Sequence, residues 1–287
     1  MAEAEARHTY RAAAGLTLSV PALRPLAGGR EAAWVAGVTL AAFAAAELLT
    51  TYVDPVAGVL LHAVILSALI LTAALGEDSP DAAGAPASRL LYALTVVPLI
   101  RILSLSMPLA HFEPYLWYLM AGLPVFLATV VAMGPLGLTP QSIGVRLNWS
   151  PVQAGVIALG FGLGIAEYHI LRPDALIDRL TPASFVLPAL VLLVATGFLE
   201  EFLFRGVLQT VAWPLLGRAT VFYVGAVFAI LHIGYHSATD VAFVFAIALI
   251  YGWVVRRTGS IMGVSVSHGI TNIMLFLVVP FIPALSS

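Results

Sequence analysis

Two adjacent carboxylates and a guanidinium, Glu200, Glu201 and Arg205, lie inside a stretch (Gly197 to Gly206) that is otherwise apolar enough to cross a membrane. A charged side chain near the centre of a transmembrane helix costs about 2.5–3.5 kcal/mol, and neighbouring carboxylates also repel. Something must hold them there. Glu201 and Arg205 are four apart with the acid on the N-terminal side, the favourable order for an i,i+4 ion pair. Glu200, about 100° further round the helix, is then the carboxylate left without a cation. A carboxylate in a low-dielectric site is a better base than one in water, which suits general-base work near neutral pH. The plain alternative is a structural ion cluster that locks helix packing.

Two later stretches bear on that choice. Phe228-Ala229-Ile230-Leu231-His232 puts a histidine deep in an apolar helix, on the same face as Phe228. His268-Gly269-Ile270-Thr271-Asn272 stacks a histidine and an asparagine on one helical face. At about 1.5 Å per residue, Glu200, His232 and His268 each lie very roughly 13–20 Å from one end of their helices. The three can share one depth near mid-membrane.

With these residues in place, the chain resembles the CAAX-protease and bacteriocin-processing (CPBP, or Abi) family of intramembrane endopeptidases, and among them the type II CAAX prenyl endopeptidases. Its Glu-Glu-x-x-x-Arg motif stands as Glu200 to Arg205, its Phe-x-x-x-His as Phe228 to His232, and its His-x-x-x-Asn as His268 to Asn272. The resemblance covers about the last third of the chain. It implies that Glu200 activates a water and that His232 orients it or shares its proton. It further implies that His268 and Asn272 stabilise the oxyanion, with Glu201 counted in the catalytic group. Arg205 and Phe228 would bind substrate or support the constellation, Arg205 meeting Glu201, a substrate carboxylate, or both. The implied substrate is a peptide or protein presented at the membrane, cut in a cavity open to the cytosol.

Metal chemistry stays open at this point. His232 and His236 are four apart, a spacing that can ligate zinc, and Glu200, Glu201 or His268 can complete a set. No His-Glu-x-x-His run accompanies them, so a metal-free glutamate mechanism is favoured and zinc is the alternative. Two further classes compete: a non-proteolytic immunity or scaffold protein of the same fold, and a transporter that relays protons through buried Glu and His.

The elements that must position these residues follow from composition. Hydrophobic residues make up 61% and charged residues 10% of the 287, against roughly 45–50% and about 25% in soluble domains, so the expected fold is an all-α polytopic membrane bundle. With a net charge of -2 there is no nucleic-acid partner to expect. The absence of cysteine excludes disulfides and thiol catalysis, and all 13 basic residues are arginine. Alanine-rich, lysine-free usage points to a prokaryotic plasma membrane.

About eight or nine spans are expected: 34–53, 56–75, 89–109, 115–135, 151–171, 184–213, 220–236, 240–255 and 260–279. Residues 1–30 form a cytosolic or interfacial arm, 31–180 the N-terminal membrane helices and 181–287 the catalytic core. Residues 76–88 read as a linker, and 136–150 as an amphipathic segment riding the interface. Arginine placement in short loops puts the N-terminus in the cytosol, with Arg172 and Arg179 on the wrong side. Glu47 and Arg101 should neutralise one another, with His62 beside them. Glu167 and His169, near a helix end, are placed at the interface without a catalytic role. Gly269 is expected to pack helices or to make room for a substrate backbone.

Overall fold

The computed structural model describes residues 29–77 and 86–283; nearly all of the 1–30 arm and most of the 76–88 linker lie outside the described residues. Among the described residues every regular element is helical, and eight helices are long and apolar enough to cross a membrane. The longest, Pro182–Tyr235, has 54 residues, far more than a hydrocarbon core of about 30 Å requires. It breaks at Gly217 (φ 53°, ψ −127°), a backbone conformation open to glycine and strained for other residues. The chain then folds back, so that the rings of Phe204 and Phe228 meet edge to face, 4.8 Å between centroids. The described helices are therefore numbered as nine passes: α1 (Gly29–Tyr52), α2 (Pro55–Glu77), α3 (Pro86–Ser106), α4 (Pro114–Met133), α5 (Pro151–Leu171), α6 (182–216), α7 (220–235), α8 (Ala238–Thr258) and α9 (Met262–Phe281). They correspond one to one to the expected spans, with shifted ends.

Local chemistry sets several helix starts. Proline occupies the first turn of α2, α4, α5 and α6, where its missing N–H costs nothing. Ser150, Thr181 and Ser237 accept from backbone N–H groups at the starts of α5, α6 and α8. Large apolar side chains such as Trp34, Leu60, Leu71 and Val131 are exposed on the outside of the bundle, as lipid contact demands.

Close approach between helices is concentrated at α9. A Cβ on Gly160 of α5 would stand 2.5 Å from the Ser267 carbonyl oxygen, and Gly164 has no room against Thr271 and Met274. From the other side, a Cβ on Gly197 of α6 would stand 2.8 Å from the Gly269 nitrogen, and one on Gly269 would stand 2.8 Å from Leu193 Cα. Small residues let helices touch backbone to backbone in lipid. Helix α9, with its His268, is clamped between α5 and α6. Gly269 thus makes room for α6, and the expected opening for a substrate backbone is not there.

Residues 134–150 do not simply ride the interface. Leu136 and Ile143 are buried, and the Ile261 N–H donates to Gly144 O at 3.0 Å. Arg146 Nε and Asn148 Nδ2 donate to Gly259 O and Thr258 O at 2.6 and 2.9 Å. The backbone polar groups of the α8–α9 turn supply partners that the pattern of apolar residues does not reveal. Leu136, Ile143 and Gly144 anchor the segment at that end of the bundle, while most of its other residues, Leu147 and Trp149 among them, are exposed.

Candidate active site

Glu200 and Glu201 occupy a single α-helical turn, Leu199–Glu201, between two π-helical segments, Leu192–Phe198 and Phe202–Leu208. The Leu199 N–H reaches back five residues to Val194 O. Such widened turns recur at functional sites, and a third, Met274–Val278, follows Asn272 directly.

The two carboxylates are separated in role by their surroundings. Glu201 is fully buried (0% exposed) and Arg205 nearly so (2%). Arg205 Nη1 donates to Glu201 Oε1 at 2.9 Å, the i,i+4 pair expected from the spacing. His268 Nδ1–H donates to the same oxygen, also at 2.9 Å. Arg205 lies over the ring of Phe228, 4.4 Å from its centroid, with Tyr251 at 5.8 Å. Covered in this way, Arg205 is held among protein side chains. Phe228 is likewise a hub, its ring packed on Phe204 and His232 as well as Arg205.

The Glu200 side chain is 35% exposed, and its Oε2 stands 3.9 Å from His268 Nε2. That gap is beyond a hydrogen bond, which leaves both atoms free to face a third group. The result is a row of alternating polarity: Arg205, Glu201, His268, Glu200. His232 Nδ1–H donates to Phe228 O at 3.0 Å. Its Nε2 is left as an acceptor when the ring is neutral.

A cavity of about 60 Å³ brings together Glu200, Glu201, His232, His268 and Asn272 with Thr196, Tyr118, Tyr235 and Glu167. Glu167 and Tyr118 were not expected there. Glu167 is 7% exposed and sits one turn beyond Gly164, on the face of α5 pressed against α9. Its place near a helix end in sequence hid this; an ionisable residue in an apolar span was the available signal. His169 is exposed beside Tyr168, at the position expected.

Of the side chains that could ligate zinc, Glu200, Glu201, His232 and His268 line the cavity. His236 is exposed, has φ 57° and packs on Tyr52 with ring centroids 5.2 Å apart; it does not line the cavity. Among the described residues no group of three His, Asp or Glu side chains is disposed to hold a metal ion. His268 Nδ1 is held by Glu201, an arrangement shared by metal-binding histidines, while its Nε2 stays free.

A second, largely apolar cavity of about 510 Å³ adjoins the first and shares Glu200, His232, Phe228, Tyr118 and Tyr235 with it. Its walls come from α3, α4, α6 and α7, and it reaches Leu109, Pro114 and Leu176. These lie at the end of the bundle where α1 finishes, since Tyr52 of α1 touches His236 beyond α7. Helix α1 carries the chain from one end of the bundle to the other, so residue 29 lies at the end away from Leu109, Pro114 and Leu176.

Neither the curated proteins nor the solved structures include a significant match. Residues 182–274, about a third of the chain and the home of all three motifs, match the family model described as type II CAAX prenyl endopeptidase Rce1-like.

Proposed function

We propose that the chain is an intramembrane endopeptidase in which Glu200 activates the hydrolytic water without a metal. One observation carries the reading: of two adjacent carboxylates, Glu201 is sequestered by Arg205 and His268, while Glu200 faces the cavity. Glu200 takes a proton from water as its oxygen attacks the scissile carbonyl. His232 Nε2 accepts the water's other hydrogen bond and aims it. The oxyanion that forms is met by His268 Nε2–H, in the imidazolium held by Glu201, and by the Asn272 amide. Loss of one such donor typically costs about 100- to 1000-fold in rate. Collapse breaks the C–N bond, and the proton on Glu200 passes to the leaving amine. Glu167 is a second carboxyl facing the same space. The apolar cavity beside Glu200 supports a substrate that is a membrane-associated peptide or protein, with apolar side chains or a lipid chain lying in it.

The test is cleavage of a membrane peptide library by the purified protein in detergent, with Glu200→Gln, His232→Ala and His268→Ala beside the wild type. Loss of turnover in folded Glu200→Gln is the expected result. Equal cleavage by all three variants overturns the assignment. Activity that disappears on chelation and returns with zinc favours the metalloprotease alternative. Proton flux in liposomes without cleavage favours a transporter, and the absence of both favours an immunity or scaffold protein.

A further inference from the structure

We propose that Arg101 is a positioning residue for His232, and that the ion network of α1, α2 and α3 serves to hold it in place. This rests on the catalytic reading of His232 given above. Helix α7 is α-helical over Thr220–Ile230 and tightens to a 3₁₀ turn over Leu231–Tyr235, before the chain reverses at His236. The last carbonyls of a helix have no partner within it, and at membrane depth water is not freely available to replace one. Arg101 Nη2 donates to Leu231 O at 2.8 Å, the carbonyl of the peptide bond that leads into His232. A cation at a helix C-terminus is also favoured by the helix dipole.

The guanidinium is itself fixed from behind. Arg101 Nε donates to Glu47 Oε1 at 2.8 Å, and Nη2 lies 2.7 Å from Oε2. His62 Nε2 stands 3.3 Å from Glu47 Oε1, and both His62 and Glu47 are fully buried. Both terminal nitrogens of Arg101 would stand 3.7 Å from a Cβ on Gly234, so the group lies over the 3₁₀ turn as well as at its first carbonyl. A pair that merely neutralised charge would need neither contact. Through Arg101 the three N-terminal helices, which carry none of the three motifs, reach the peptide that bears His232.

Arg101→Lys separates the two roles. A single ammonium still neutralises Glu47, but it lacks the planar fork that reaches Glu47 and Leu231 O together. The expected result is a melting temperature near wild type and a kcat at least tenfold lower, with KM within about twofold. Amide exchange over 231–235 should be at least tenfold faster. Glu47→Gln with Arg101→Met removes both charges at once, guards against misfolding of the lysine variant, and should lose kcat and exchange protection in the same way. The proposal is overturned by wild-type kcat and exchange in either variant, or by a kcat loss that only tracks the loss of melting temperature. If the wild type cleaves nothing, the protease reading fails, and exchange over 231–235 still decides whether Arg101 holds the helix end.

Discussion

Gly269→Ala tests whether the meeting of α6 and α9 sets the catalytic geometry. The new methyl would stand 2.6 Å from Leu193 Cδ1 and 2.8 Å from Leu193 Cα. The side-chain atom can rotate away; the Cα cannot. Restoring ordinary contact means opening the helix pair from 2.8 to about 3.4 Å, a shift of about 0.6 Å. The His268–Glu201 hydrogen bond crosses the same junction, and an equal shift takes it from 2.9 to about 3.5 Å, the edge of bonding. Overpacking of this kind costs about 1–3 kcal/mol of stability. A misplacement approaching 1 Å can cost up to about 100-fold in rate. The assay is kcat and KM for peptide cleavage, with thermal unfolding in the same detergent. Expected are a modest drop in melting temperature and a kcat loss of about 10- to 100-fold. Wild-type kcat in Gly269→Ala would refute the idea that this glycine contact positions His268.

Other perturbations follow from the same geometry. Glu201→Gln leaves Arg205 buried without a counter-charge, so a loss of about 3–5 kcal/mol is expected; thermal unfolding should show the variant recovering when Arg205→Met is added. Asn272→Ala should lower kcat about 100-fold with little change in melting temperature, checked by steady-state cleavage. Gly217→Val forces a side chain into a positive-φ turn and should destabilise by about 1–3 kcal/mol, read as a lower melting temperature with kcat per folded molecule unchanged. Protease accessibility of tags at residue 29 and in the 107–113 connection should place them on opposite faces of sealed vesicles; finding both on one face contradicts the path of α1.

Contacts within one helix, and the pairing of two buried charges between helices, could be read from the chain; other contacts between helices could not. Glu201 and Arg205 meet because four residues make about one turn, and Glu47 finds Arg101 because a buried charge needs a partner. His268 on Glu201 is different. The partners are 67 positions apart, and nothing in their local sequence ties Nδ1 to that oxygen rather than to a substrate. Glu167 was displaced by counting residues from a helix end, when the glycines at 160 and 164 were what pressed its face onto α9. The anchoring of 134–150 escaped because the partners of its polar groups lie more than a hundred residues away. Orientation rests on a different kind of signal: arginine counts report which loops stay in the cytosol, but not at which face the cavity opens.

The π-helical turns beside Glu200 and Glu201 have a consequence for chain length. Each reads as one residue more than an α-helical turn would hold, so α6 stores slack on both sides of its charged pair. Deleting one residue within 192–198 should convert that turn to α-helix and leave the faces on either side of it where they are. A helical wheel drawn through the whole of α6 therefore assigns its lipid and protein faces wrongly beyond each widened turn. In comparisons of related chains, a one-residue gap here signals the loss of a widened turn, with the faces on both sides of it kept.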